Sequence, residues 1–416
     1  MSHHLLAWGI CALSVAGVII RPFKWPEAIW AVSGALLVVL LRLLPWGEAW
    51  GAVGKGLDVY LFLTGMMLLS EVGRREGLFD WVAVVAVNHA QASPRRLFLL
   101  VYGVGTVVTI FMSNDATAVV LTPAVFAAAK KAQARALPLL LVCAFIANAA
   151  SFVLPISNPA NLVLYGNHMP ALGAWFARFA VPSLLSIAAT YAVLRWSQRH
   201  ELEGTCNKNL PLEPLSANGR LALAGIGVTA VALLVVSALD IQLGLPTAIL
   251  GVVTAAVLQI RQRTSPWPLL KGVSWGVLPL VAGLFVLVET LNHSGVIALL
   301  ATVLKHAASH AQAATAAVAG ASIAVASNGL NNLPAGLIAS STVALAQAPQ
   351  RVIDALLIGV DIGPNLSITG SLATILWLTA IRREGEDVSF LTFFKVGMLV
   401  MPPALALALA SRLLLG

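Results

Sequence analysis

The sequence predicts an all-α polytopic membrane protein, an inverted 5+5 transmembrane repeat with two re-entrant helical hairpins and two unwound spans. Three observations predict it. The 416 residues are 59% hydrophobic and only 10% charged, with a mean hydropathy of +0.89, against about 25% charged in an ordinary soluble domain. So little charge cannot wet the surface of a globule this size, which excludes a soluble enzyme, a disordered chain and a secreted disulfide scaffold. The apolar residues also fall into runs near the length of about 20 that crosses hydrocarbon. Finally, the chain matches itself when shifted by 218 residues: Gly65 falls on Gly283, Glu71 on Glu289, Gly77 on Gly295, and Ser113-Asn114 on Asn331-Asn332.

Ten spans are expected, at 5–20, 28–44, 57–76, 137–165, 172–196, 217–239, 244–260, 273–293, 352–381 and 390–415. No small-residue cleavage site follows the first, only Arg21-Pro22-Phe23-Lys24, so it reads as a retained span and not a signal peptide. Two further stretches, 95–130 and 312–347, are broken near their middles by polar, helix-breaking clusters and read as hairpins that enter and leave by one face. Charge supports that threading. Arg42, Lys55, Arg178, Lys305, Arg351 and Arg412 fall on one side, and the other 19 of the 25 Lys and Arg fall on the opposite side. The rich side should be cytoplasmic, which puts both termini outside the cytoplasm and makes the net charge of +8 a topology signal rather than a nucleic-acid one.

The longest hydrophilic segment, 195–220, lies at the midpoint and should link the halves: a first repeat at 1–196, a cytoplasmic linker at 197–216 and a second repeat at 217–416. Each half has five spans. An odd number forces the second half to start from the opposite face, the inverted architecture of many secondary transporters.

In each half the apolar pattern breaks twice, at matching places. The first half breaks at residues 113–123, SNDATAVVLTP, and again from Asn148 through Ser151, Pro155, Ser157, Asn158 and Asn161. The second breaks at Ser327, Asn328, Asn331, Asn332 and Pro334, and again across residues 361–371, DIGPNLSITGS. Pro and Gly unwind helix, and unwound backbone at membrane depth needs protein or water partners. The candidate substrate-contacting residues are therefore Asn114, Asp115, Thr117, Asn148, Ser157, Asn158, Asn161, Asn331, Asn332, Asp361, Asn365, Thr369, Gly370 and Ser371. Ordinary N-capping accounts for any one of these residues, but a cap at lipid depth still requires a helix end there.

Asp115 and Asp361 stand out, because a carboxylate at the bilayer centre costs about 2.5–3.5 kcal/mol on insertion scales. Apart from Arg351, no Lys or Arg lies within ten residues of Asp361. A carboxyl without a cation in a half-dry pocket is suited to bind and release a proton, so both acids are proton-coupling candidates, with helix capping the alternative. Glu71 precedes Arg74 and Arg75 at helix-pair spacing, which suits an ion pair at the membrane edge; Glu289 lacks such a neighbour. His89, His168, His200, His306 and His310 read as solvated loop residues, and Cys143 as inert packing. The scattered Cys11, Cys143 and Cys206 form no metal clamp, and no P-loop, HExxH, GxSxG or CxxC occurs, so neither a cofactor nor an ATP site is expected.

Residues 113–123, the Asn331-Asn-Leu-Pro334 cluster and residues 361–374, DIGPNLSITGSLAT, closely resemble ArsB-type arsenite efflux permeases of the ion transporter superfamily, alongside sodium–dicarboxylate symporters. The resemblance covers nearly the whole chain and is most specific at 361–374. It implies a secondary transporter of the inner (plasma) membrane that exports arsenite and antimonite in exchange for protons; some such permeases also couple to a soluble ArsA-type ATPase. One departure matters. The family's usual Asp in the first-half break is Asn148 here, so any proton it carries in relatives falls to Asp115 or Asp361. The same-class alternatives are a sodium-coupled carboxylate symporter or a sodium/proton antiporter of this fold. An intramembrane aspartyl protease is disfavoured because no GxGD motif surrounds Asp361.

Overall fold

The computed structural model describes residues 2–166, 169–208 and 210–415. Among them every regular element is helical. The first half runs through α1 (Ser2–Ile20), α2 (Glu27–Leu40), α3 (Trp46–Lys55), α4 (Leu57–Arg75), α5 (Leu78–His89), α6 (Pro94–Met112), the short α7 (Asn114–Ala116) continued by a π-turn into α8 (Thr122–Lys131), α9 (Ala136–Ala149), α10 (Pro159–Tyr165) and α11 (Leu172–Ser197). No helix lies between Ser197 and Ala217 among the described residues. The second half then runs through α12 (Ala217–Ala238), α13 (Gly244–Gln262), α14 (Trp267–Gly272), α15 (Val277–His293), α16 (Val296–His310), α17 (Gln312–Leu330), α18 (Asn332–Ala346), α19 (Gln350–Ile362), α20 (Leu372–Arg383) and α21 (Phe390–Leu414).

Among the described residues, seven helices are long and apolar enough to cross a membrane, or nine if each of two bent pairs counts as one span. The 22 residues of α12 reach about 33 Å at 1.5 Å per residue, the thickness of a hydrocarbon core. Leu13, Val228, Ile260 and Val318 are exposed on these helices. An apolar belt of that kind is untenable in water and ordinary in lipid. The chain is a multi-pass membrane protein.

Pairings recur between the halves. α4 packs on α13 and α15 on α2; α6 packs on α9 and α17 on α19; α5 packs on α8 and α16 on α18. The small residues explain how the first of these pairings closes. A Cβ on Gly65 of α4 would run into the carbonyl of Thr247 on α13, and one on Gly283 of α15 would lie 2.8 Å from the Ala31 carbonyl carbon of α2. Lipid gives helices no hydrophobic reason to associate, so backbone-to-backbone approach through glycine supplies the van der Waals contact instead.

The helices break at both polar clusters where hairpin turns were expected. α6 ends at Ser113, with φ 91°, and α17 ends at Asn331, with φ 73°. Neither is a glycine, so each turn holds its residue in an unfavourable left-handed region. The residues before α6 and after α8 meet the segment that follows α11: the Cys206 amide donates to the Ala92 carbonyl (3.1 Å) and the Asn207 amide to the Ala132 carbonyl (2.7 Å). The expected spans at 137–165 and 352–381 are interrupted as well, α9 from α10 and α19 from α20.

Some expectations are corrected. α5 and α16 were not among the predicted spans; their apolar runs are short and polar-ended, and α16 joins α15 at a 71° bend. His306 and His310 are exposed, but on α16 rather than in a loop, and His89 ends α5. His168 lies outside the described residues. Glu289 does have a cation: Lys55 Nζ lies 2.6 Å from its Oε2, brought from α3 in the other half. Glu71 pairs with Arg74 as its spacing predicts, through two bonds of 2.7 and 2.6 Å.

Candidate functional site

The hairpin turns set the site. Asn114 and Asn332 are the first helical residues after the left-handed Ser113 and Asn331. Both are buried, and the side-chain oxygen Oδ1 of each has no hydrogen-bond partner. A buried amide oxygen without a partner forfeits on the order of 1–3 kcal/mol, so two of them at matching places call for an explanation. They line one small cavity together with Asp115 and Asn158, closed on its apolar side by Leu63 and Val277. The cavity measures about 10 Å³, room for one water-sized sphere. The carboxylate of Asp115 has no hydrogen-bond or ion-pair partner among the described residues, so it does not act as a helix cap.

A second cavity of about 50 Å³ shares Leu63, Asp115, Pro159 and Val277 with the first and extends past Ser113 to Ser70, Ser274 and the Glu71–Arg74 pair. Asp115 thus lines both cavities.

The unwound segments form the floor. Asn158 N-caps α10, its Oδ1 accepting from the Ala160 amide at 3.0 Å, while its Nδ2 donates to Oδ1 of Asp361. The other carboxylate oxygen of Asp361 is buried and unpartnered, and the residue has no cation among the described residues. Asn158 therefore links the two predicted acids, lining the chamber beside Asp115 and touching Asp361. Next to it, Asn148 Nδ2 donates to Asn365 Oδ1 at 3.1 Å, and Asn365 Nδ2 donates to the Phe145 carbonyl at 3.0 Å. The first-half break is thereby fastened to the second-half break.

Other predicted site residues turn back on the backbone. Thr117 bonds Thr109 across 2.8 Å inside the hairpin. Ser157 donates to the Ile110 carbonyl at 3.0 Å. The amide of Asn161 reaches the carbonyls of Ser151 (2.8 Å), Leu154 and Pro155 (3.3 Å each), satisfying the unwound stretch between α9 and α10. Asn331 caps α18 through the Leu333 amide, Ser371 caps α20 through the Thr374 amide, and Thr369 donates to the Asn328 carbonyl at 2.8 Å. Gly370 packs against Pro364 where no side chain fits. These seven shape the breaks; the cavity lining contains none of them.

Asn328 escaped selection although it sits in a break. Its amide donates to the Gly363 carbonyl at 3.0 Å and its Oδ1 accepts from Ser367 at 2.8 Å, fastening α17 to the second unwound span. The signal was present, an amide in the last turn of an apolar helix. Ser70 and Ser274 carry no comparable signal, since lone serines are common in spans.

The family model described as "CitMHS: Citrate transporter" matches residues 15–363. An arsenical pump membrane protein of Yersinia enterocolitica is 27% identical over 427 residues, covering 98% of each chain, and one of Escherichia coli is 28% identical over 430 residues, again 98% of each. A putative arsenical pump membrane protein of Bacillus subtilis is 27% identical over 420 residues, 92% of this chain and 93% of its own. In fold, the chain is similar to the YdaH transporter of Alcanivorax borkumensis, with a TM-score of 0.57 at 15% identity over 99% of this chain and 98% of that one.

Proposed function

Because the chain belongs to the CitMHS transporter family, and its relatives named above are arsenical pump membrane proteins, we propose that it exports arsenite, and antimonite, as the neutral trihydroxide in exchange for protons. One observation carries this reading. Asn114 and Asn332, each with an unpartnered amide oxygen, line one chamber with Asp115 and Asn158, and no cation is in its lining. Arsenite at neutral pH is an uncharged triangle of hydroxyls that both donate and accept. Amide oxygens take its protons, amide N–H groups reach its oxygens, and no charge needs neutralising. Thiolates would hold the metalloid tightly, but the three cysteines are buried in separate places. Oxygen contacts bind more weakly and favour release.

In this reading residues 1–196 and 217–416 are inverted repeats joined by a cytoplasmic linker, with both termini outside the cytoplasm of the inner membrane. The recurring pairings of α4 with α13 and α15 with α2 support it. Alternating access proceeds by rocking around the hairpin tips. The tightness of the chamber fits an occluded arrangement, and a four-heavy-atom solute enters only when the tips part. Asp115 and Asp361 carry the proton, with Asn158 as their shared neighbour, and antiport against a neutral solute moves charge inward. The membrane potential then adds about 2.3 kcal/mol per charge per 100 mV to the pH gradient. A soluble ArsA-type ATPase is an optional partner.

The family description favours a second reading, a sodium-coupled carboxylate carrier. The chamber argues against it, because Asp115 with no Lys or Arg in the lining would repel a polyanion in a dry site. Everted vesicles decide between the two. Sodium-independent arsenite uptake driven by an acid lumen is the expected result; sodium-driven citrate uptake without arsenite transport overturns the proposal.

A further inference from the structure

We propose that a second site on this protein binds a phosphate-bearing anion, in a cavity framed by Arg178, Arg351 and Arg412 and separate from the chamber at the hairpin tips. The inference does not depend on the transport reading. The cavity holds about 400 Å³, the size of an ordinary small-ligand pocket. It lies where α11 and the end of α21 meet the starts of α17 and α19, and Gln312 and Gln350 add amide groups to its wall.

The charge balance points to an anion. Arg412 is buried and fully neutralised: its Nε and Nη2 lie 2.8 and 2.7 Å from Oδ2 of Asp354. Asp354 is in turn saturated, its Oδ1 accepting from the Tyr165 hydroxyl at 2.7 Å and from Gln350 Nε2 at 2.8 Å. That leaves Arg178, which rests against the Tyr165 hydroxyl, and Arg351. Neither has an ion-pair partner among the described residues, and no acid lines the cavity. Three of the six basic residues assigned by sequence to the sparse side converge here. Two guanidinium groups without ion-pair partners in the lining of one cavity favour an anion there. Their planar forks match the oxygens of phosphate, which a lysine would meet only as a point charge.

Two sources supply this chemistry, an anionic phospholipid headgroup and free phosphate. The apolar edge at Val181 and Leu415 suits a lipid whose chains lie along the helices.

The test uses the full chain, delipidated in an uncharged detergent, and follows its thermal midpoint against phosphatidylglycerol, phosphatidylcholine and inorganic phosphate. Arg178→Gln/Arg351→Gln is the main variant. Arg351→Gln alone, a residue with no partner to lose, serves if the double variant does not fold. Phosphatidylglycerol should stabilise the wild type, phosphatidylcholine should not, and the variant should need at least tenfold more of the anionic lipid for the same shift. A shift with lipid but not with inorganic phosphate identifies a headgroup, and a shift with both identifies a site that also accepts the free ion. Equal responses of wild type and variant, or no response to either anion, overturn the proposal.

Discussion

Asn158 caps α10 with its oxygen and donates its amide to Asp361 on α19, so one side chain ties a helix start in the first half to a carboxylate in the second. Both helix ends exist only because the spans unwind at this depth. A continuous helix at either place would remove the cap or the acid.

The proposed proton role of Asp361 is tested by Asp361→Asn. The amide keeps an oxygen for Asn158 to donate to, so the floor of the chamber should survive, but the side chain no longer takes up a proton. Uptake into everted vesicles driven by an acid lumen should fall at least tenfold, while exchange of labelled arsenite across proteoliposomes persists. Undiminished driven uptake removes Asp361 from the coupling.

Asn114 and Asn332 should read out as substrate contacts. Because their Oδ1 atoms bond nothing in the protein, Asn114→Leu or Asn332→Leu forfeits no internal bond at that oxygen. Each substitution should raise the KM for arsenite by about five- to a hundredfold, the range set by roughly 1–3 kcal/mol per lost contact. The thermal midpoint should hold or rise slightly. A lowered midpoint with unchanged KM would make them structural caps.

The four helix breaks were legible because Asn, Ser, Asp, Gly and Pro cluster inside apolar runs where nothing but a helix end uses them. Which of those polar groups face the cavity was not legible. An amide that lines the cavity and an amide turned back on unwound carbonyls are the same residue type; Asn114 and Asn161 differ only in where the chain places them. Long-range charge pairing was equally hidden. Lys55 and Glu289 are 234 positions apart, and Arg412 is 58 beyond Asp354, distances at which sequence pattern carries no information about contact.

Asn161→Leu should show the contrasting behaviour. It strips the amide from three carbonyls of the 151–155 stretch at once. Leaving buried carbonyls unmet costs about 1–3 kcal/mol each where no water replaces the donor. The expected outcome is a clear fall in thermal midpoint, with the KM of the surviving folded protein unchanged. A raised KM at an unaltered midpoint would place Asn161 in substrate contact after all.

The Asp354–Arg412 pair invites a double-mutant cycle, because both charges are buried. Arg412→Leu leaves the wholly buried Asp354 with only its two neutral donors and should destabilise by about 3–5 kcal/mol. Asp354→Leu should cost less, since Arg412 borders the arginine-lined cavity and can turn its charge toward water there. With both changed, no charge is stranded and two apolar side chains fill the space, so stability measured by thermal unfolding in detergent should recover most of the loss. Simple addition of the two single losses would mean that the groups act independently, and that their 2.7 Å contact contributes nothing to the fold.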